Sequence, residues 1–246
     1  KGPMELKREA PTPLYVQLKN SLLMQITSNQ LAPHQQLPSE RELCEQFGVS
    51  RTTVRQAINE MIHEGLVYSR AGKGTFVSEP KINQQLRTLT GFSQDVLERG
   101  GTPSSQVLEA RLIPATPDLA ERLQVTLETE LVLLSRLRLA NGMPLAIETS
   151  YLNHSYCKDI LQHDFSYTSL YHVLQTEYQL RLVRAEQTIE AGLANPQELA
   201  LLKMHPPAAI LKMERLTTTD QDVRLEYTVS VYRGDRYKFR TTLQVF

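Results

Sequence analysis

Two sets of residues in this 246-residue chain have types and spacings that could do chemistry. The first is Ser50-Arg51-Thr52-Thr53, with Arg55 two positions on. Arginine presents a planar fork of donors that pairs in bidentate fashion with guanine or phosphate. Threonine bonds phosphate or touches a thymine methyl. The second set is spread out: Arg136 and Arg138, then Glu148, and later Glu226. Arginines match a phosphate or carboxylate, and carboxylates orient sugar hydroxyls or an amine. Both are binding chemistries. The six histidines fall in no ligand spacing, and Cys44 and Cys157 lie far apart without a CxxC. Walker and nucleophile-elbow motifs are absent, so no metal, cofactor or catalytic residue is expected.

Helix starts must position the first set. Leu14, Leu18, Leu22 and Ile26 recur every four residues behind Pro13 and predict a helix. Ser39-Glu40-Arg41-Glu42 reads as a capping box, opening a short helix that buries Leu43 and Phe47 and stops at Gly48. Ser50 then caps a third helix, whose Val54, Ala57, Ile58 and Met61 form one buried face. Two short helices joined by a glycine turn are a helix-turn-helix, and the start of the second helix is where base edges are read. Residues 66–70 and 75–77 flank Ala71-Gly72-Lys73-Gly74, a hairpin whose glycine-rich tip carries one cation. That is a wing. Taken alone, the Arg/Thr cluster also fits the solvated face of a small helical bundle. Capping box, glycine turn, basic helix start and hairpin, in that order between Ser39 and Val77, favour DNA.

Residues 79–88 are polar and read as a linker between a domain at 5–78 and another at 89–246. The second domain contains a repeat. Ala115-Thr116-Pro117 and Ala194-Asn195-Pro196 each open a short helix, carrying Leu119 and Leu123 or Leu199 and Leu202. Each copy continues into a strand with an arginine at the matching place, Arg136 or Arg215. It then turns, at Asn141-Gly142 or Asp220-Gln221-Asp222, into a return strand holding Glu148 or Glu226. Two such units in series predict an α+β domain around a mixed, largely antiparallel sheet. From Val223 to Tyr232 alternation puts Glu226, Thr228, Ser230 and Tyr232 on one face. Thr168-Ser169-Leu170-Tyr171 reads as a helix start with hydroxyls that suit an anion. A sheet face of this composition can also simply be wet.

The first hairpin carries a geometric condition. A two-residue Asn141-Gly142 turn alone sets Arg136 opposite Ile147, and Glu148 then points away from both arginines. A three-residue loop or an equivalent bulge sets Arg136 opposite Glu148 and Arg138 opposite Ala146. The expectation is one of these two.

Residues 37–43, 47–57, 65–66 and 72–77 closely resemble the GntR family of bacterial transcription regulators. The resemblance implies that Arg41, Ser50, Arg51, Thr52, Thr53, Arg55, Gly72 and Lys73 meet operator DNA. Residues 89–246 are similar to the effector-binding domain of its HutC-type subfamily, a fold related to chorismate lyase. The likeness rests on residues 89–93, 136–138, 144–150 and 226–237. It is greatest to the repressors of N-acetylglucosamine utilisation. It implies a homodimer on a palindromic operator and an amino-sugar 6-phosphate effector, glucosamine 6-phosphate or N-acetylglucosamine 6-phosphate. Ser93, Arg136, Arg138, Ser169 and Tyr171 would hold the phosphate, and Phe92, Glu148, Glu226 and Tyr232 the sugar.

Composition sets the outer limits. Hydrophobic residues make up 41%, enough for real cores, which excludes disorder as the main state. No apolar run approaches the ~20 residues of a membrane helix, and no signal-peptide core opens the chain, so a soluble cytoplasmic protein with no membrane contact is expected. Net charge is zero, but residues 1–78 carry nine Lys/Arg against seven Asp/Glu. Rival readings are a regulator sensing another small anion such as a carboxylate, a lyase-like enzyme with Glu148 and Glu226 as acid and base, and an architectural DNA-binding protein without a ligand.

Overall fold

The computed structural model describes residues 6–7, 10–70, 72–79, 81–86 and 89–243, and divides into two compact units after Lys81. In the first, α1 (Leu14–Thr27) starts behind Pro13, whose missing N–H is no loss at a helix entry. α2 (Glu40–Phe47) opens on a complete capping box. Ser39 Oγ accepts the Glu42 N–H, and the Glu42 carboxylate accepts the Ser39 N–H and hydroxyl, both at 2.7 Å. These bonds hold the Glu42 carboxyl below its usual range. Gly48, at φ +64°, supplies the left-handed residue that ends the helix. α3 (Arg51–His63) follows, with Ser50 accepting the Thr53 N–H at 3.1 Å, and it buries Val54, Ala57, Ile58 and Met61 as the spacing requires. β1 (Val67–Arg70) and β2 (Gly74–Val77) form the antiparallel hairpin, anchored because Val67 and Val77 join the core of the helices. Ser39→Ala is expected to lower the unfolding free energy of this unit by ~1 kcal/mol. An unchanged urea midpoint would mean that the cap contributes nothing.

The second unit begins with β3 (Ile82–Gln85) and α4 (Phe92–Glu98). The first copy of the repeat is β4 (Pro103–Pro114), α5 (Pro117–Leu123), β5 (Glu130–Ala140) and β6 (Met143–Asn153). After α6 (Leu170–Thr176) the second copy runs β7 (Leu182–Leu193), α7 (Pro196–Leu202), β8 (Ala209–Thr219) and β9 (Arg224–Arg233), followed by β10 (Tyr237–Arg240). The two copies build one antiparallel sheet in the order β4-β5-β6-β9-β8-β7. The two return strands therefore pair at its centre, Glu148 beside Ser230 and Ser150 beside Thr228. On one face α6 packs Leu170, Val173 and Leu174 against Val132, Leu134 and Leu225, and α4 packs Phe92 and Val96 against Ala146, Met213 and Tyr232. α5 covers the other face around Leu131 and Tyr227. No helix of the described residues is long and apolar enough to cross a membrane.

Three features differ from the sequence reading. The stretch read as a linker, 79–88, includes β3, which pairs in parallel with β10 from the far end of the chain. Such a pairing has no local signature. Each repeat also has a leading strand, β4 or β7, that the helix-plus-hairpin reading left out. These are the sheet edges, exposed along most of their length, so no alternating apolar face announces them.

The third is the hairpin. Asn141 (φ +51°) and Gly142 (φ +76°) form the two-residue turn, and Ala140 pairs with Met143. A bulge follows at once. Leu139 pairs with Pro144 but Arg138 with Ala146, leaving Leu145 as the extra residue, so Arg136 faces Glu148. The equivalent bulge is thus the device, and the loop keeps two residues. The bulge falls beside Pro144, which lacks an N–H for the ladder. The second copy has its own bulge at Leu225, which puts Glu226 on the same face, opposite Thr217.

Candidate functional site

All nine residues expected at the effector site come together. Phe92, Ser93, Arg136, Arg138, Glu148, Ser169, Tyr171, Glu226 and Tyr232 line one cleft over the central strands. Alternation along β5 and the bulge at Leu145 aim Arg136, Arg138 and Glu148 into it. Arg136 is 2% exposed, and its Nη2 donates to Glu148 Oε1 at 2.5 Å. Arg138 donates through Nη2 to Ser93 Oγ at 2.9 Å, and its Nη1 lies 3.7 Å from Glu148. Each guanidinium lies near an aromatic ring, Arg136 5.8 Å from the Phe165 centroid and Arg138 4.7 Å from that of Phe92.

The donors outnumber the acceptors. Nε and Nη1 of both Arg136 and Arg138 are buried without a hydrogen-bond acceptor among the described residues. Burial, reinforced by Arg138, pushes the Arg136 guanidinium down to about 10. Burial alone would raise Glu148, but Arg138 and Arg136 overcome it and hold the carboxyl below its usual range. Glu226 is differently placed. Its Oε1 accepts Ser150 Oγ at 2.8 Å, and its Oε2 accepts Tyr171 OH at 2.8 Å and Thr217 Oγ1 at 3.2 Å. The Tyr171 hydroxyl, expected on phosphate, is therefore directed to a carboxylate, and its burial pushes the phenol up. Ser169 Oγ accepts the His172 N–H as the cap of α6.

The sequence reading left Gln84, Thr90, Gly91, Leu170, Met213, Arg215, Thr228 and Ser230 out of the site, and they line the cleft as well. The alternation through β9 already placed Thr228 and Ser230 on the face of Glu226, and the repeat already paired Arg215 with Arg136. Gln84 carried no signal, because it was read as linker. Among the described residues no cluster could hold a metal ion.

In the first unit Ser50, Arg51, Thr52, Thr53 and Arg55 gather at the start of α3, with Arg41 on α2 and Gly72 and Lys73 at the hairpin tip. Arg51 and Thr52 are exposed. Arg55 Nε donates to both Glu40 oxygens, at 2.9 and 3.1 Å, and Arg41 pairs with Glu45 at 3.2 Å. At the tip, the Lys73 carbonyl accepts Gln36 Nε2 at 2.8 Å. Gly74 has φ +105°, a conformation that other residues adopt only with strain, and a Cβ there would also push against that Gln36 nitrogen, 2.7 Å away. One cation escaped the sequence reading: Arg70 lies over the rings of Tyr68 and Phe76, 5.4 and 5.2 Å from their centroids.

Comparison with known proteins agrees with this arrangement. Residues 14–77 match the family of bacterial regulatory proteins, gntR family, and residues 98–238 match the UTRA domain. The chain is 38% identical to the HTH-type transcriptional repressor NagR of Bacillus subtilis, over 96% of this chain and 97% of that protein. It is 33% identical to the histidine utilization repressor of Pseudomonas putida, over 85% and 84%. Among solved structures, PhnF from Mycobacterium smegmatis matches with a TM-score of 0.67 at 27% identity, covering 93% of this chain and 100% of that one. The gntR-family match over the first unit, the UTRA match over most of the second and the identity to NagR along nearly the whole chain show that the chain belongs to the GntR family as a transcriptional repressor of the HutC type.

Proposed function

We propose that the protein binds a near-palindromic operator as a homodimer, and that glucosamine 6-phosphate or N-acetylglucosamine 6-phosphate in the cleft controls that binding. The observation that carries the effector reading is the set of buried Arg136 and Arg138 nitrogens without a protein acceptor. A phosphoryl dianion supplies acceptors for them, with Ser93 beside it. Glu148 keeps the two cations from repelling each other before ligand arrives, and Phe92 and Tyr232 offer apolar faces to a sugar ring. The homodimer follows from the reach of one helix-turn-helix, which reads only a few base pairs. The resemblance to the repressors of N-acetylglucosamine utilisation supports the sugar. A relative 31% identical is named for mannosyl-D-glycerate transport and metabolism. The relatives named for histidine utilization keep a carboxylate effector as the second reading.

Thermal unfolding tests the choice. A ligand at a hundred times its Kd stabilises by ~2.7 kcal/mol. The two sugar phosphates should raise the midpoint, and unphosphorylated N-acetylglucosamine should not. Stabilisation by histidine or another carboxylate, with no response to sugar phosphates, would replace this reading. The pH dependence is specific too. A phosphoryl group loses its second charge below about pH 6. Glu148, held below its usual range, is still ionised there, so its favourable pairing persists above its ordinary value and is lost only as pH falls further. Calorimetry should therefore find sugar-phosphate affinity falling below about pH 6 with the unliganded protein still folded.

A further inference from the structure

The two copies of the repeat place an arginine at equivalent positions, Arg136 on β5 and Arg215 on β8, and both line the cleft. Their partners differ. Across the edge strand Arg136 faces Val107, whose side chain accepts no hydrogen bond, whereas Arg215 faces Gln187, whose Oε1 accepts the Arg215 Nε–H at 2.8 Å. Arg215 Nη1 donates to the Thr90 carbonyl at 3.2 Å, and Nη2 lies 3.9 Å from the Met213 sulfur. Thr90 also donates its hydroxyl to Asp95 Oδ1 at 2.6 Å. Two and three residues further on are Phe92, under the Arg138 guanidinium, and Ser93, bonded to it.

We infer that Arg215 is a positioning residue: it holds the mouth segment Thr90–Ser93 in place, and Gln187 on the edge strand commits it to that task. Arg136, with valine in the corresponding place, keeps Nε and Nη1 open to an anion. One pair of edge-strand residues thus divides two equivalent arginines into a receptor and a brace. The inference deepens the proposed effector reading, on which only its choice of binding probes rests.

Hydrogen exchange on the full chain without ligand decides it. In Arg215→Ala the amides of residues 91–93 should exchange about tenfold faster, with the β5–β6 hairpin unchanged. Arg215→Lys, which retains a donor for the Thr90 carbonyl, should recover part of the protection. Calorimetry then uses N-acetylglucosamine 6-phosphate and inorganic phosphate as probes. Arg215→Ala should weaken the sugar phosphate about tenfold and inorganic phosphate by clearly less, because the sugar phosphate loses both Phe92 and Ser93 whereas the inorganic anion loses only Ser93. Unchanged exchange at residues 91–93, or equal losses for both probes, overturns the inference, the latter because Arg215 would then hold the phosphate itself. Should the alanine variant fail to fold, Val107→Gln gives Arg136 Nε an acceptor and should weaken inorganic phosphate. No change in that variant also overturns the inference. Failure of the unsubstituted protein to bind either probe sinks the sugar-phosphate reading instead, while the exchange result still decides the role of Arg215.

Discussion

Replacing Arg136 with alanine is expected to abolish the response to N-acetylglucosamine 6-phosphate while operator affinity stays intact. Arg136 has two nitrogens without a protein acceptor in a nearly dry position. Two charge-assisted bonds at ~1.5–3 kcal/mol each correspond to a loss of affinity on the order of a thousandfold. The same substitution removes one partner of a buried ion pair, which ordinarily costs ~3–5 kcal/mol of stability. Here the cost should be smaller, for two reasons. Arg138 Nη1 remains 3.7 Å from Glu148. In addition, a base pushed down to about 10 is less favourably charged in the folded protein than in the unfolded chain. Since both states are protonated below about 10, that penalty is present across the neutral range and disappears with the side chain. Calorimetry and urea unfolding measure the two quantities separately. An alanine variant that binds sugar phosphate normally refutes the assignment of Arg136 to phosphate.

Arg136 also shows how far the sequence could be read. Its partnership with Glu148 could be posed as a condition on register, because side chains alternate along strands and only an added residue in the hairpin brings both to one face. Sequence left open where the extra residue goes. Asn-Gly is a strong two-residue turn signal, and the structure keeps it, so Leu145 beside Pro144 takes up the slack. The helix starts at Ser39 and Ser50 were legible because capping is local chemistry, a hydroxyl and a carboxylate three residues apart. The opposite holds for Gln84. Its place beside the cleft depends on β3 pairing with residues 237–240, and nothing within a few residues of it announces that. Tyr171 and Glu226 were legible as cleft residues but not as each other's partners, since that bond joins α6 to β9 across the sheet face. Period and capping reveal elements. Contacts between elements distant in sequence reveal which polar atoms are left over, and the proposed effector reading rests on those atoms.

The DNA-binding surface yields the other large effect. Arg51→Ala is expected to lose ~1–3 kcal/mol at each half-site. A homodimer on a near-palindrome meets two distant half-sites whose losses add, giving ~2–6 kcal/mol, or about 30-fold to 10⁴-fold. Arg51 is exposed at the first turn of α3, the end that meets base edges in a helix-turn-helix. Arg55→Ala should cost less, because Nε of Arg55 is already bonded to both Glu40 oxygens and only its terminal nitrogens are left for a base. Lys73→Ala is the control. A wing-tip cation on phosphate should weaken all sequences alike and reduce the salt slope by about one per protomer, so about two for the dimer. The probe is a duplex selected by the protein from a random library, compared with its scrambled version at physiological salt. If Arg51→Ala weakens both duplexes equally, Arg51 contacts phosphate and the reading of bases moves elsewhere on α3. If it weakens only the selected duplex, the specificity resides at the capped start of this helix, where Ser50 fixes the direction in which Arg51 leaves the backbone.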